Sequence, residues 1–149
     1  KKKIYKKSAS LIKIYWGVKK LLNRLKKNKH KLAIVTSSHF DQVQSSLNAN
    51  FIDLFDTIVT GDMTSRNKPY PDPFILASKK LKSLPSECLV LENAPLGILA
   101  AKKAKMTCIA ITKTNHETAL LNADFIINKY RDIYKDKKIN KILNINEKI

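Results

Sequence analysis

Residues 87–97 read Glu-Cys-Leu-Val-Leu-Glu-Asn-Ala-Pro-Leu-Gly. Cys88–Leu91 is a short apolar run with the length and bulk of a strand buried on both faces. A carboxylate and an amide follow at once, Glu92 and Asn93. Pro95 then suits the first position of a helix, whose face continues through Leu96, Leu99 and Ala100. Strand, polar turn and helix recur on both sides of this stretch. Upstream, Val18, Leu21, Leu22 and Leu25 fall at helical spacing, Leu32–Val35 is strand-like, and Phe40, Val43 and Leu47 mark a second helix. The β-branched run Thr57–Thr60 is a second strand. Asp72 can cap a helix that Pro73 opens and Phe74, Ala77 and Leu81 continue, and Pro85 ends it. Downstream, Cys108–Ile111 and Phe125–Ile127 are strands on either side of a short polar helix at His116–Leu121. Strands alternating with helices predict an α/β fold of the Rossmann-like kind, a parallel sheet in a three-layer α/β/α arrangement. Residues 135–149 read equally as a terminal helix or a tail.

The chain has 149 residues, 44% of them hydrophobic, enough for one domain with its own core. Its formal charge of +17 is unevenly placed. Residues 1–31 carry thirteen basic side chains and no acid, residues 32–127 carry nine of each, and residues 128–149 carry seven basic and three acidic. The neutral middle holds the strand–helix units, so the excess reads as solvated faces and tails. The competing reading is a basic module that binds nucleic acid or an anionic membrane, with Tyr5, Tyr15 and Trp16 interleaved among the lysines. Against it, the segment has Arg24 as its single arginine and no glycine-rich or zinc-type reader, so neither a nucleic-acid nor a membrane partner is expected. Three glycines exclude the GxGxxG and Walker devices. No apolar stretch is long enough to span a bilayer, and no secretory pattern fits the first residues. Cys88 and Cys108 sit in apolar runs and read as buried free thiols of a reducing, cytoplasmic compartment.

Ligands of open parallel sheets bind beyond the carboxyl ends of the strands. Those ends carry Thr36-Ser37-Ser38, then Gly61-Asp62 with Lys68 downstream, then Glu92-Asn93. Hydroxyls and backbone N–H groups donate to phosphoryl oxygens, and a lysine neutralises charge that spreads in a phosphoryl-transfer transition state. Glu92 and Asn93 offer the hard oxygens that suit Mg²⁺. Taken singly, each group has a plain alternative: a helix cap at Thr36–Ser38, one more surface lysine at Lys68, ordinary loop polarity at Glu92-Asn93.

In this order, four stretches resemble the haloacid-dehalogenase-like phosphohydrolases, within them the group of β-phosphoglucomutase and phosphoglycolate phosphatase. They are residues 31–38, 55–62, 68–74 and 87–97 with Ala100-Ala101. The resemblance implies that Thr36 holds the transferring phosphoryl group, with the Ser37 N–H beside it, and that Lys68 neutralises nucleophile and phosphate. It implies that Glu92 and Asn93 hold Mg²⁺, Asn93 standing where an aspartate is commoner, and that the substrate is a small phosphorylated metabolite. The family's nucleophile motif, Asp-x-Asp-Gly-Thr/Val, does not occur in these residues. On that footing residues 1–16 are the remnant of a helical cap, residues 17–134 an incomplete core and residues 135–149 the terminal helix or tail. The chain is then expected to lack the first, central strand and most of the cap, to be marginally folded and to be catalytically silent by itself. A non-catalytic remnant of the fold is the alternative. The absent strand belongs between those ending at Val35 and Leu91, which must either pair directly or leave two inner edges open. Lys105 stands where the family has glycine, in a turn expected to need positive φ.

Overall fold

The computed structural model describes residue 14, residues 17–112 and residues 114–145. Six α-helices and five strands alternate along them: α1 Val18–Lys27, β1 Ala33–Val35, α2 Phe40–Ser46, α3 Ala49–Ile52, β2 Thr57–Val59, α4 Asp72–Leu81, β3 Leu89–Glu92, α5 Pro95–Lys103, β4 Thr107–Ile111, β5 Phe125–Ile127 and α6 Lys137–Leu143. All five expected strands are present. The proposed cap remnant, residues 1–16, lies outside the described residues except for Ile14.

Side chains of β3 and β4 alternate between two cores, as the pleat of a strand requires. Val90, Cys108 and Ala110 face Phe74 of α4 and Ile98, Ala100 and Ala101 of α5. Ile109, Ile111 and Ile127 face the other way, onto Leu21 of α1 and Ile139 and Leu143 of α6. The result is the three-layer α/β/α arrangement. Residues 137–143 are therefore a packed helix; Asp136 caps it, accepting from the N–H groups of Lys138 and Ile139 at 2.8 and 3.0 Å. Its far end is tied to the chain leaving α1: His30 Nε2 lies 2.6 Å from the Leu143 carbonyl, and Asn28 donates to the Asn144 carbonyl at 3.1 Å.

Every strand pair is parallel, but the strands form two sheets, β1-β2 and β3-β4-β5. No ladder joins β1 to β3 among the described residues. Of the two arrangements expected, the open one is realised. Thr36 donates to the Val59 carbonyl and the Leu32 carbonyl accepts from Thr57, so the intervening Ala33 and Val35 turn their backbone groups away from β2. Between these edges runs a cavity of about 540 Å³. Ala33 and Val35 wall it on one side and Leu89 and Leu91 on the other, with Leu25 of α1 and Phe74 of α4 closing its two faces.

The same device starts a strand in each sheet. Asp56, just before β2, accepts from the Leu32 N–H at 2.7 Å and from Lys26 of α1 at 2.9 Å. Asp124, just before β5, accepts from the Cys108 N–H at 2.8 Å and from Lys102 of α5 at 2.6 Å. The hydrogen bond from Leu32, then that from Lys26, hold the Asp56 carboxyl below its ordinary 3.8. For Asp124 burial pushes upward, but Lys102 and the Cys108 N–H outweigh it and the net shift is downward. A carboxylate with a lowered folded pKa contributes fully above its ordinary value and loses that contribution as pH falls through the folded one. Unfolding free energy is thus expected to be level in this respect above pH 3.8 and to fall below it. Denaturant titrations from pH 6 down to pH 2 will show Asp56→Asn and Asp124→Asn flattening this acid limb; a limb unchanged in both variants refutes the assignment.

Several boundaries differ from expectation. Leu32 stands outside β1 because its N–H goes to Asp56 rather than to a ladder. Thr60 lies beyond β2. Cys88 ends a 3₁₀ turn, Pro85–Glu87, and is half-buried rather than sealed in the strand. Cys108 is fully buried, and burial pushes its thiol up to about 12. Pro71 takes the cap position of α4, which makes Asp72 its first residue and Pro73 its second. The segment expected as a helix at 116–121 is a 3₁₀ turn, Glu117–Leu120.

Lys105 has φ of 59°, the left-handed conformation expected there. It follows α5, and its N–H donates to the Lys102 carbonyl while Met106 donates back to Ala101. A side chain in this conformation costs about 1 kcal/mol relative to glycine. Lys105→Gly is expected to raise the unfolding free energy by about that amount, read from denaturant midpoints; a loss of stability contradicts the reading.

Candidate phosphoryl-transfer site

The carboxyl ends of β1 and β3 open on the same edge, and one lysine links them. Lys68 Nζ donates to Glu92 Oε1 at 2.6 Å and to the Val35 carbonyl at 3.3 Å, and it lies 5.0 Å from the centre of the Phe74 ring. The pair is well buried, its side chains 14% and 10% exposed. The loop from β2 brings Lys68 there. Asn67 Nδ2 holds that loop by donating to the Gly61 carbonyl at 2.9 Å.

Glu92 has a second set of partners. Its Oε2 accepts from the N–H groups of Asn93 and Ala94 at 2.5 and 2.9 Å. These lie at the start of α5, whose N-terminal N–H groups have no partners within the helix. Asn93 Nδ2 points to Thr114 Oγ1 at 2.8 Å, and Asn115 Nδ2 donates to the Asn93 carbonyl at 2.8 Å. The residues after β4 thus brace the turn after β3.

Thr36 is half-buried, one residue beyond the carbonyl that Lys68 reaches, and its Oγ1 accepts from the Ser38 N–H at 3.1 Å. The turn it forms leaves Ser37 exposed at the edge of the sheet. Gly61 fixes the turn from the other side: its N–H donates to the Ser38 carbonyl at 2.9 Å, and a β-carbon on it would lie 2.2 Å from the Ser37 carbonyl oxygen. Gly97 does the same for Glu92, since a β-carbon there would lie 2.0 Å from Oε1.

The structure therefore brings Lys68 and Glu92 into direct contact and sets Asn93 and Thr36 beside them. Gly61, Asn67, Gly97, Thr114 and Asn115 shape the site without having been expected to. Gly61 follows β2 and Gly97 lies inside α5, and the close approach each makes had no signal in one dimension. Asn67, Thr114 and Asn115 had none, because loop amides and hydroxyls carry no periodicity.

Two features bear on an anionic ligand and a metal. Lys68 is neutralised by Glu92, so a phosphoryl group entering the site would meet little net positive charge without a further cation. The oxygens on offer, Glu92 and Asn93, are of the hard kind that Mg²⁺ takes, one or two carboxylates being completed by water and phosphate. Among the described residues no group of three His, Cys, Asp or Glu side chains gathers for a metal. The set fits Mg²⁺ in kind, with further ligands to come from water, substrate or other residues. Nor is any helix among the described residues long and apolar enough to cross a membrane.

Residues 1–111 match the family model described as haloacid dehalogenase-like hydrolase. The chain is 36% identical over 118 residues to validoxylamine A 7'-phosphate phosphatase of Streptomyces hygroscopicus, covering 78% of this chain and 55% of that protein. Among solved structures, CbbY from Rhodobacter sphaeroides in complex with phosphate superposes with a TM-score of 0.74 at 25% identity, over 86% of this chain and 60% of that one. A hydrolase from Pseudomonas syringae superposes with a TM-score of 0.80 at 28% identity, over 97% of this chain and 66% of that one. The chain spans about half the length of the first of these relatives. With the parallel α/β core and a lysine–glutamate pair where β1 and β3 end, the chain belongs to the haloacid dehalogenase-like hydrolases.

Proposed function

We propose that these residues form the carboxyl-terminal part of the core of a Mg²⁺-dependent phosphatase or phosphomutase acting on a small phosphorylated metabolite. The observation that carries the proposal is the Lys68–Glu92 pair at 2.6 Å, set beside Thr36 at the open edge of both sheets. Thr36 Oγ1 and the Ser37 N–H hold the phosphoryl oxygens. Lys68 offsets charge that spreads onto those oxygens and holds Glu92 in place. Glu92 and Asn93 hold Mg²⁺, which when bound supplies the positive charge that draws the phosphoryl group in. The attacking carboxylate comes from outside this sequence, which contains no Asp-x-Asp-Gly motif.

The test compares two lysines in a polypeptide that carries the whole core. Lys68→Ala is expected to lower turnover of a phosphate monoester by about a hundredfold, the size typical of losing one charge-stabilising group. Lys82→Ala, an exposed cap residue at the end of α4, is expected to leave turnover within about twofold. Equal effects of the two substitutions refute the assignment.

A further inference from the structure

Asn93 is the weaker member of the oxygen pair at the end of β3, for a reason of symmetry. A carboxylate offers an oxygen whichever way it turns. A carboxamide offers an oxygen on one edge and two N–H donors on the other, and no cation accepts those. An asparagine that serves as an oxygen ligand must therefore be held in one of its two flips. The Asn93 backbone is fixed already, its N–H by Glu92 Oε2 at 2.5 Å and its carbonyl by Asn115 Nδ2 at 2.8 Å. What is left to set is the plane and sense of the side-chain amide.

Thr114 sets it, from the turn after β4 and 21 residues further on. Its Oγ1 accepts from Asn93 Nδ2 at 2.8 Å and from Asn115 Nδ2 at 3.2 Å. A hydroxyl oxygen has two lone pairs, and these two amides use both. Thr114 thus meets Asn93 as an acceptor. An acceptor draws the N–H edge toward itself and turns Oδ1 to the opposite side. Among the described residues no group donates to that Oδ1.

We infer that Thr114 is a positioning residue, which holds the Asn93 carboxamide with its oxygen turned away from the β4 loop, so that an asparagine can serve as a hard-oxygen ligand beside Glu92. This role rests on the reading of Glu92 and Asn93 as Mg²⁺ ligands and extends it to a residue that acts through Asn93. A loop brace would matter equally whatever side chain stood at position 93. A device that sets the amide matters for asparagine and not for a carboxylate.

The test measures affinity for Mn²⁺, the probe for Mg²⁺, from the paramagnetic resonance of the free ion. It uses a polypeptide that carries the whole core, without substrate. Thr114→Val keeps the shape and removes the acceptor, and it is expected to weaken Mn²⁺ binding by about tenfold or more, the size typical of losing a group that orients a metal ligand. Thr114→Ser keeps the acceptor and is expected to stay within about twofold of the parent. In the Asn93→Asp background, Thr114→Val is expected to change affinity by less than about twofold, because either carboxylate oxygen serves. Equal weakening in both backgrounds overturns the inference, since Thr114 is then a brace. So does unchanged affinity in Thr114→Val where Glu92→Gln loses it, a result that leaves the metal reading standing. Unchanged affinity in Glu92→Gln overturns the metal reading and the role of Thr114 with it.

Discussion

Replacing Gly61 by alanine is expected to destabilise the chain by about 3 kcal/mol, at the upper end of what overpacking ordinarily costs. The added β-carbon would stand 2.2 Å from the Ser37 carbonyl oxygen, 2.8 Å from its carbon and 3.2 Å from its α-carbon. These are backbone atoms, so no rotamer change relieves the contact. The two loops must part, and the Gly61 to Ser38 hydrogen bond goes with them. The turn that sets Thr36 and Ser37 at the sheet edge loses its support. Urea unfolding of the variant, with amide exchange at Ser37 and Ser38 as a local readout, checks this. A loss under about 0.5 kcal/mol, the size of an ordinary surface substitution, shows that the loops are not packed as described.

Gly97→Ala is expected to cost about 2–4 kcal/mol by a different route. Its β-carbon would meet Glu92 at Oε1, Cδ and Cγ, 2.0, 2.2 and 2.6 Å away. A carboxylate side chain can move, so steric strain is small, and alanine even favours the helix by up to about 1 kcal/mol. The cost lies in where Glu92 must go. Displaced, it abandons Lys68 in a site where the lysine is 14% exposed, and it releases the N–H groups of Asn93 and Ala94. Breaking a buried pair costs about 3–5 kcal/mol, which leaves a net loss after the helix gain. Equilibrium unfolding of Gly97→Ala and of Lys68→Met in one series separates the routes. If loss of the pair is the cause, the two substitutions are less than additive. Full additivity refutes the mechanism.

These two glycines show where reading by sequence stops. The helical face of Val18–Leu25 and the apolar runs at 32–35, 88–91 and 108–111 are periodic or continuous in one dimension, and the structure places elements there. Thr36 and Asn93 were legible as residues just beyond strands and Glu92 as the end of one, because parallel topology brings such positions to one edge, while Lys68 was read only as lying downstream of β2. The contact between Lys68 and Glu92 was not legible, since they are 24 residues apart and the loop that carries Lys68 is held by Asn67. Leu32 looked like strand because it is apolar. It is not, because Asp56, 24 residues on, takes its N–H. Helix α3 had no periodic signal at four residues long, and it is started by the Asn48 side chain accepting from Phe51 N–H at 2.8 Å.

The paired aspartates have a consequence for how the molecule comes apart. Asp56 fastens β1 to β2 and to α1, and Asp124 fastens β4 to β5 and to α5. Each sheet therefore carries its own fastening, while no ladder crosses from one to the other among the described residues. Two regions so built are expected to open as separate cooperative units, since helices α1 and α4 rather than a shared sheet join them. One can open while the other stays protected, and a single free energy of unfolding then averages over two events.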